Sequence, residues 1–187
     1  SMRSDAIVTV NRWTTTPEYD FLDAQHSGYE RLSPPITHRR QIFFDKQERY
    51  WVIKDILTES TSIVSYPQSQ TEHHLDLYFH FPSIKIMAEP EYALAVKSVE
   101  PGTNIIIMPM IEANTLEMTI ETGWVSYSYG TKMEVPFVKY SRKAHCPVSF
   151  MTLLYPYESP DFHFELETIR KQITAFLESN VTEDERQ

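Results

Sequence analysis

Residues 41–53, QIFFDKQERYWVI, place a short polar stretch between two apolar runs. Residues 41–44 and 50–53 are rich in aromatic and β-branched side chains, which favour strands. Residues 45–48 are polar throughout, and a loop of about four or five residues commonly joins two antiparallel strands. The stretch therefore predicts a β-hairpin.

Alternation of apolar and more polar side chains recurs along most of the chain, as in Leu75, Leu77 and Phe79, and is typical of strands with one buried face. Further strands are expected at residues 7–10, 92–96, 104–108, 116–120, 137–140 and 150–154. Turn signals recur roughly every 8 to 12 residues, and no strand–helix–strand rhythm is present. Ten or so short strands in this arrangement predict an all-β fold, an antiparallel sandwich of two stacked sheets.

The C-terminal tail supports two interpretations. Its apolar residues Leu166, Ile169, Ile173, Phe176 and Leu177 have helical spacing. Phe162, Phe164 and Leu166 alternate instead, as they would in a strand. We expect a short C-terminal helix, with a strand at the start of the tail as the alternative.

Length and charge limit the class of protein. A chain of 187 residues fits one large domain, and one domain over residues 1–187 is the simplest expectation. Its formal net charge of -9 argues against nucleic acid and against an anionic membrane surface as partners. No apolar run approaches the ~20 residues that a membrane-spanning helix needs.

The sequence lacks the phosphate-binding glycine loops, the catalytic serine motif and the zinc-protease motif. A candidate metal site remains on one predicted strand, where His74, Asp76, Tyr78 and His80 share a face. Histidine and carboxylate both bind zinc, but a metal site needs three or four converging ligands, so a solvated polar face is the more frequent explanation. His80 is the candidate ligand, because it ends the strand beside loops that could bring further ligands.

Positive charge is concentrated in one segment of this acidic chain. The candidate substrate-binding residues there are His26, Tyr29, Arg31, His38, Arg39 and Arg40. Arginine can grip the carboxylate of an acidic substrate with two parallel hydrogen bonds. The guanidinium group also forms such paired hydrogen bonds to carboxylates within a protein, so a structural role for at least one arginine is the alternative. Gly28 and Tyr29 read as a corner, where the tyrosine hydroxyl is expected to bond to the backbone.

Four motifs in this order carry a resemblance. Residues 24–32, AQHSGYERL, match the pattern A-x-H-x-G-Y-x-R-L, and residues 35–40, PITHRR, match P-x-x-H-x-R. Residues 50–55, YWVIKD, match Y-W-V-x-x-D, and residues 79–81 read F-H-F. Together they resemble the C-terminal domain of the bacterial heparinase II/III-like family, over roughly residues 13 to 156.

The resemblance implies a β-sandwich that follows an α/α-toroid domain in a polysaccharide lyase. Such enzymes cleave uronic-acid-containing glycans by β-elimination: a base removes the proton at C5, and an acid protonates the departing glycosidic oxygen. The family's catalytic tyrosine and Asn/His pair lie mostly on the toroid. His80 is similar to a family histidine that binds a structural zinc in some members of the family. The resemblance also implies an acidic polysaccharide as partner and a bacterial periplasmic or secreted location.

This chain contains no helical toroid and starts after the family's first metal ligands. We therefore expect a C-terminal fragment that is inactive alone, in which His26, His38 and Arg39 or Arg40 line the rim of the cleft without moving protons. No catalytic residue is assigned, and zinc is expected at most in the intact protein. The second hypothesis is a carbohydrate-binding or scaffolding module without enzymatic activity.

Overall fold

A computed structural model describes residues 6–59, 71–110, 115–159 and 162–184, with side chains up to residue 174 in the last segment. The described residues form eleven strands and one helix. The strands are β1 Val8–Thr15, β2 Tyr19–His26, β3 Ile36–Asp45, β4 Tyr50–Glu59, β5 His73–His80, β6 Ile86–Ala88, β7 Val96–Ser98, β8 Asn104–Pro109, β9 Glu117–Val125, β10 Met133–Ala144 and β11 Val148–Tyr157, and the helix is α1 His163–Asp184.

The strands form two antiparallel sheets, so the predicted all-β sandwich is confirmed. Eight strands form the large sheet in the order β1-β2-β3-β4-β11-β8-β7-β6, and three form the small sheet in the order β5-β10-β9. The predicted hairpin is β3–β4, with Phe43 opposite Val52 and Phe44 opposite Trp51. Its turn lies at residues 46–49.

The large sheet is covered on both faces in its middle. Ile106 and Leu153 pack against Leu166 of α1, and we call this side the helix face. Their neighbours Ile107 and Phe150 pack on the other side against the small sheet. Because successive side chains of a strand point to opposite faces, strands buried on both faces read as unbroken apolar runs, as β8 does. The molecule thus has three layers: helix, large sheet and small sheet.

The strand expected at residues 92–96 is wrong. The chain turns there, since the Ala95 amide donates to the Tyr92 carbonyl and the Glu89 amide donates to the Ala95 carbonyl. Leu94 has φ 63°, which lies in the left-handed region and does not continue a strand. The strand β7 begins only at Val96.

The helical interpretation of the tail is confirmed, and α1 is longer than expected at 22 residues. Phe162, Leu166, Ile169 and Ile173 are buried against the large sheet. Phe164 is 83% exposed, so the alternation that suggested a strand does not correspond to a buried face. Phe176 and Leu177 lie in α1, but their side chains are outside the described part. None of the described helices is long and apolar enough to cross a membrane.

Candidate functional site

The hairpin β3–β4 and the preceding strand β2 bring three of the candidate residues together. In the antiparallel register His26 lies opposite His38, and Arg40 lies opposite Asp55. Directly opposed residues share a face, and on β3 the side chains of His38 and Arg40 point the same way. Four polar side chains therefore meet on the face of the large sheet that is turned away from α1.

These four side chains form a continuous hydrogen-bonded chain. His26 Nε2 lies 3.0 Å from His38 Nδ1, and His38 Nε2 lies 2.6 Å from Asp55 Oδ1. Arg40 closes the end with two bonds to Asp55, from Nε to Oδ1 at 2.7 Å and from the terminal nitrogen to Oδ2 at 3.1 Å. This set of residues is called the histidine chain below.

One backbone donor fixes the direction of the histidine chain. The Gly28 amide donates to His26 Nδ1 at 3.0 Å, so this nitrogen carries no proton. In neutral His26 the proton is then on Nε2, which donates to Nδ1 of His38. The proton of neutral His38 is in turn on Nε2 and is donated to Asp55. Each of the four ring nitrogens is therefore already engaged in one hydrogen bond.

Asp55 is the charged end of the histidine chain and is 3% exposed. Burial raises the pKa of its carboxyl, but the hydrogen bonds from His38 and Arg40 outweigh burial and leave the pKa lowered. Asp55 thus stays ionised, and it holds the His38 ring in one orientation.

His26 lies at the opposite end of the chain, where Tyr29 packs against it. The Tyr29 ring lies 5.2 Å from the His26 ring and 6.1 Å from the His38 ring, centroid to centroid. Burial, followed by the nearby charges of His38 and Arg40, lowers the pKa of His26. The corner at Gly28 is as predicted, and a Cβ there would lie 2.9 Å from His26 Nδ1. The tyrosine hydroxyl makes no bond to the backbone in the described part of the chain, which differs from the expectation.

Arg39 belongs to a second network on the helix face. It binds both carboxylate oxygens of Asp23, which also accepts hydrogen bonds from Gln41 and Asn11, each at 3.0 Å. Asp23 is 4% exposed, and the hydrogen bond from Arg39 is the main reason that its pKa lies far below the usual range. Arg39 is therefore separated from His26, His38 and Arg40 by the thickness of the sheet.

Arg31 lies in the exposed turn between β2 and β3, and the described residues offer it no ion-pair partner. Of the six predicted substrate-binding residues, His26, Tyr29, His38 and Arg40 thus lie together, Arg31 lies on the adjacent turn, and Arg39 lies on the opposite face. Their substrate-binding role stays a prediction.

Sequence reasoning missed Asp23 and Asp55 as members of these networks. Both are buried aspartates on strands, and buried carboxylates require a charge partner. Two consecutive arginines on β3 point to opposite faces and could have supplied one partner for each. That signal was present, but only the strand register identifies which aspartate pairs with which arginine.

The structure gives His80 no companion ligands among the described residues. His80 is exposed at the end of β5, where its ring lies 5.1 Å from the Phe137 ring and 6.4 Å from the Tyr78 ring. The predicted shared face is present, but on it Asp76 bonds with Tyr78 and Ser141. The described residues around His80 therefore do not by themselves fit a zinc ion, and the ligand role of His80 stays a prediction.

A different trio has the composition of a metal site. The donor atoms of Glu89, Glu91 and His163 lie within 4.8 Å of one another in the described part of the chain. Lys97 already contacts the buried Glu89 carboxylate and lies 5.6 Å from the Phe162 ring. The lysine ammonium neutralises this carboxylate. Glu89, Glu91 and His163 are therefore interpreted as part of a charge network that attaches the start of α1 to the sheet.

The chemistry open to the histidine chain is limited by its own bonds. Because Nε2 of His26 already carries the proton, His26 can accept a substrate proton only at Nδ1, and only after Nδ1 gives up its bond to the Gly28 amide. The guanidinium of Arg40 has both carboxylate oxygens of Asp55 to satisfy first. The arrangement is suited to holding the β2–β3 corner and the Tyr29 ring in a fixed position.

The sequence and the fold of the chain are similar to those of known proteins. The family model for the heparinase II/III-like, C-terminal domain matches residues 2–147. No curated protein matches the sequence. The solved structure of heparan sulfate lyase HepC from Pedobacter heparinus is similar, with a TM-score of 0.65 and 18% identity. The BT4657 gene product, a heparinase III, gives a TM-score of 0.63 and 20% identity.

Both similarities cover 81% of this chain but only 22% of the other one. The chain thus spans about a fifth of the length of these proteins. At such low identity the structural likeness shows a shared fold. The family model covers most of the chain and includes the β2–β4 region that carries the histidine chain. On this evidence, the chain belongs to the heparinase II/III-like, C-terminal family.

Proposed function

We propose that the chain is the sandwich domain of a polysaccharide lyase that cleaves uronic-acid-containing glycans by β-elimination. In this proposal the sandwich completes the substrate cleft and supplies no proton-transfer group. A separate N-terminal helical toroid supplies the base and the acid, and the whole protein acts on an acidic polysaccharide in the bacterial periplasm or outside the cell. Family membership supports the lyase assignment.

One observation carries the non-catalytic part of the proposal. A histidine that acts as a catalytic base needs an unprotonated ring nitrogen within hydrogen-bond reach of the substrate proton. All four ring nitrogens of His26 and His38 are already bonded inside the molecule, to Gly28, to each other and to Asp55. The groups of this region that remain accessible to a substrate include Tyr29, 41% exposed beside the histidines, and Arg31 on the turn. Arg40 is also partly exposed, but its guanidinium is bound to Asp55.

The direct test is the ultraviolet absorbance of the unsaturated uronate that β-elimination produces. The full-length protein is expected to yield this product from at least one of heparan sulfate, alginate and polygalacturonate, and the 187-residue chain from none. If the full-length protein yields none, the lyase assignment fails. If the 187-residue chain turns over by itself, the proton-transfer groups lie within it and the non-catalytic assignment fails.

The cleft-completing role is tested separately in the full-length protein. Replacing Arg31 by Gln is expected to raise KM about fivefold and to leave kcat within twofold, because the arginine would contribute binding alone. Arg170→Gln, on the exposed side of α1, is the matched control and should change neither constant. A fall in kcat without a change in KM would contradict the assigned role.

A further inference from the structure

A notch opens where the large sheet splits between β4 and β11. The two strands pair from Leu57 opposite Val148 to Trp51 opposite Leu154, and there the pairing stops. β11 continues to Tyr157 while pairing with β8 alone. The β3–β4 turn and the last residues of β11 therefore diverge and leave a gap in the sheet.

This notch is a half-open pocket with a volume of about 670 Å³, within the range usual for small-molecule sites. One wall is the β3–β4 hairpin, the second is the end of β11, and the third is the first turn of α1. The lining residues include Phe44, Lys46, Glu48, Arg49, Trp51, Tyr155, Glu158 and Glu165. The notch lies at the turn end of β3 and β4, whereas the histidine chain lies towards the other end of these strands.

Aromatic rings form an apolar wall of the notch. Phe44 and Trp51 stack with their centroids 4.4 Å apart and their planes 14° from parallel. Tyr155 is held by a hydrogen bond from its hydroxyl to Glu165 Oε2 at 2.5 Å. A flat, fixed aromatic surface suits the C–H face of a pyranose ring, and little conformational entropy is lost when a ligand packs on it.

Two donors in the notch have no partner among the residues that the structure describes: the Arg49 guanidinium and the indole N–H of Trp51. Lys46 is already engaged by Asp20 and by the Thr16 carbonyl, each at 2.7 Å. Carboxylates of Glu48, Glu158 and Glu165 supply acceptors. The carboxylates can thus accept hydrogen bonds from the hydroxyls of a ligand. The Arg49 guanidinium is the one forked donor among the described lining residues, and it fits a single carboxylate.

We propose that the notch binds one saccharide unit of a glycan that carries no sulfate groups. Trp51 packs against the sugar ring, the carboxylates accept hydrogen bonds from its hydroxyls, and Arg49 binds the carboxylate of a uronate where one is present. Sulfate groups add negative charge next to three carboxylates and are disfavoured. The choice of a glycan as ligand rests on the proposed function, and the site itself is additional to it.

The test is calorimetric titration of the 187-residue chain with three tetrasaccharides at physiological ionic strength. The probes are cellotetraose, tetragalacturonate and a heparin-derived tetrasaccharide. The two unsulfated probes are expected to bind, and the heparin probe at least tenfold more weakly. Heparin binding as tight as that of the unsulfated probes, or no binding of either unsulfated probe, overturns the proposal.

Variants locate the binding. Trp51→Leu should weaken both unsulfated probes about fivefold to tenfold, the loss expected for one aromatic contact. Arg49→Gln, at an exposed turn position, should weaken tetragalacturonate and spare cellotetraose. Trp124→Leu removes an exposed tryptophan that does not line the notch, and should change neither affinity. If Trp51→Leu unfolds the chain, the Arg49→Gln variant alone tests the assignment of the notch. Equal affinities of Arg49→Gln and the parent chain for tetragalacturonate overturn that assignment.

The two proposals fail independently. If the chain binds unsulfated probes at the notch but the full-length protein forms no unsaturated product, the lyase assignment fails and the notch stands. If the full-length protein forms product but the chain binds no unsulfated probe, the notch assignment alone is wrong.

Discussion

Arg39 and Arg40 are neighbours in sequence, yet each neutralises an aspartate on a different face of the same sheet. Arg39 pairs with Asp23 on the helix face, and Arg40 pairs with Asp55 on the other face. Successive side chains of a strand point to opposite faces of the sheet, so the two neighbouring arginines reach different aspartates. A buried carboxylate whose partner is removed leaves an uncompensated charge, so each pair matters more for stability than an exposed ion pair.

At the residue scale, Asp55→Asn is expected to lower the free energy of unfolding by about 2 kcal/mol or more. The change keeps the shape but removes the charge that faces His38 and Arg40. Urea unfolding at neutral pH measures the effect. Asp20→Asn, which alters the more exposed pair with Lys46, is the matched control and should cost clearly less than Asp55→Asn. Equal losses for the two variants would mean that the histidine chain adds no stability of its own.

Acid should weaken the fold through His26. Its pKa is lowered in the folded chain, so protons bind more readily to the unfolded chain. The stability due to neutral His26 is complete above the unfolded-state pKa of about 6.5 and is lost as pH falls from there through the lowered value. The pKa values of Asp23 and Asp55 are also lowered, so their contributions disappear only in a more acidic range, below about pH 4.

The measurement is the free energy of unfolding at several values between pH 8 and pH 5. His26→Gln should flatten the decline, because glutamine does not titrate. His80→Gln, a change at an exposed histidine, should retain the slope of the parent. A slope that survives His26→Gln unchanged would show that another group causes the decline.

At the element scale, α1 depends on one apolar stripe that faces the sheet. Leu166→Ala is expected to cost about 3 kcal/mol, since Leu166 is fully buried between α1 and the large sheet. Phe164→Ala, two residues away on the exposed side, should change the free energy by about 0.5 kcal/mol or less. Similar losses at the two positions, measured by urea unfolding, would contradict the helical packing and favour the alternating interpretation.

The sequence pattern of each strand or turn explains which parts of the fold could be predicted from the sequence. Strands β3 and β4 were predictable because a polar turn separates two apolar runs. Residues 92–96 carry the same apolar signal, but hydrogen bonds to Glu89 and Tyr92 close a turn there, and only the folded chain shows these bonds. Candidate site residues could be named from their charge, whereas the separation of Arg39 from Arg40 and the part played by Asp55 depend on strand register.

At the scale of the whole molecule, the large sheet ends in an edge strand with exposed apolar side chains. A bulge between Val10 and Arg12 shifts the register of β1, so that Trp13 lies opposite Leu22. Val8, Val10 and Trp13 consequently share one face, which is the face of His26. Without the bulge, Val8 and Val10 would point to one face of a regular strand and Trp13 to the other. All three are more than half exposed.

An exposed edge strand with free backbone groups and an apolar face promotes association with another chain. The 187-residue chain is therefore expected to self-associate, with an apparent mass in light scattering that rises with concentration. Trp13→Lys places a charge on the edge and should keep the chain monomeric over the same range. Trp124→Lys, a comparable change at an exposed tryptophan of the small sheet, should leave the association as it is. If the parent chain stays monomeric throughout, or if both variants reduce the association equally, the β1 edge is not the surface through which the chains meet.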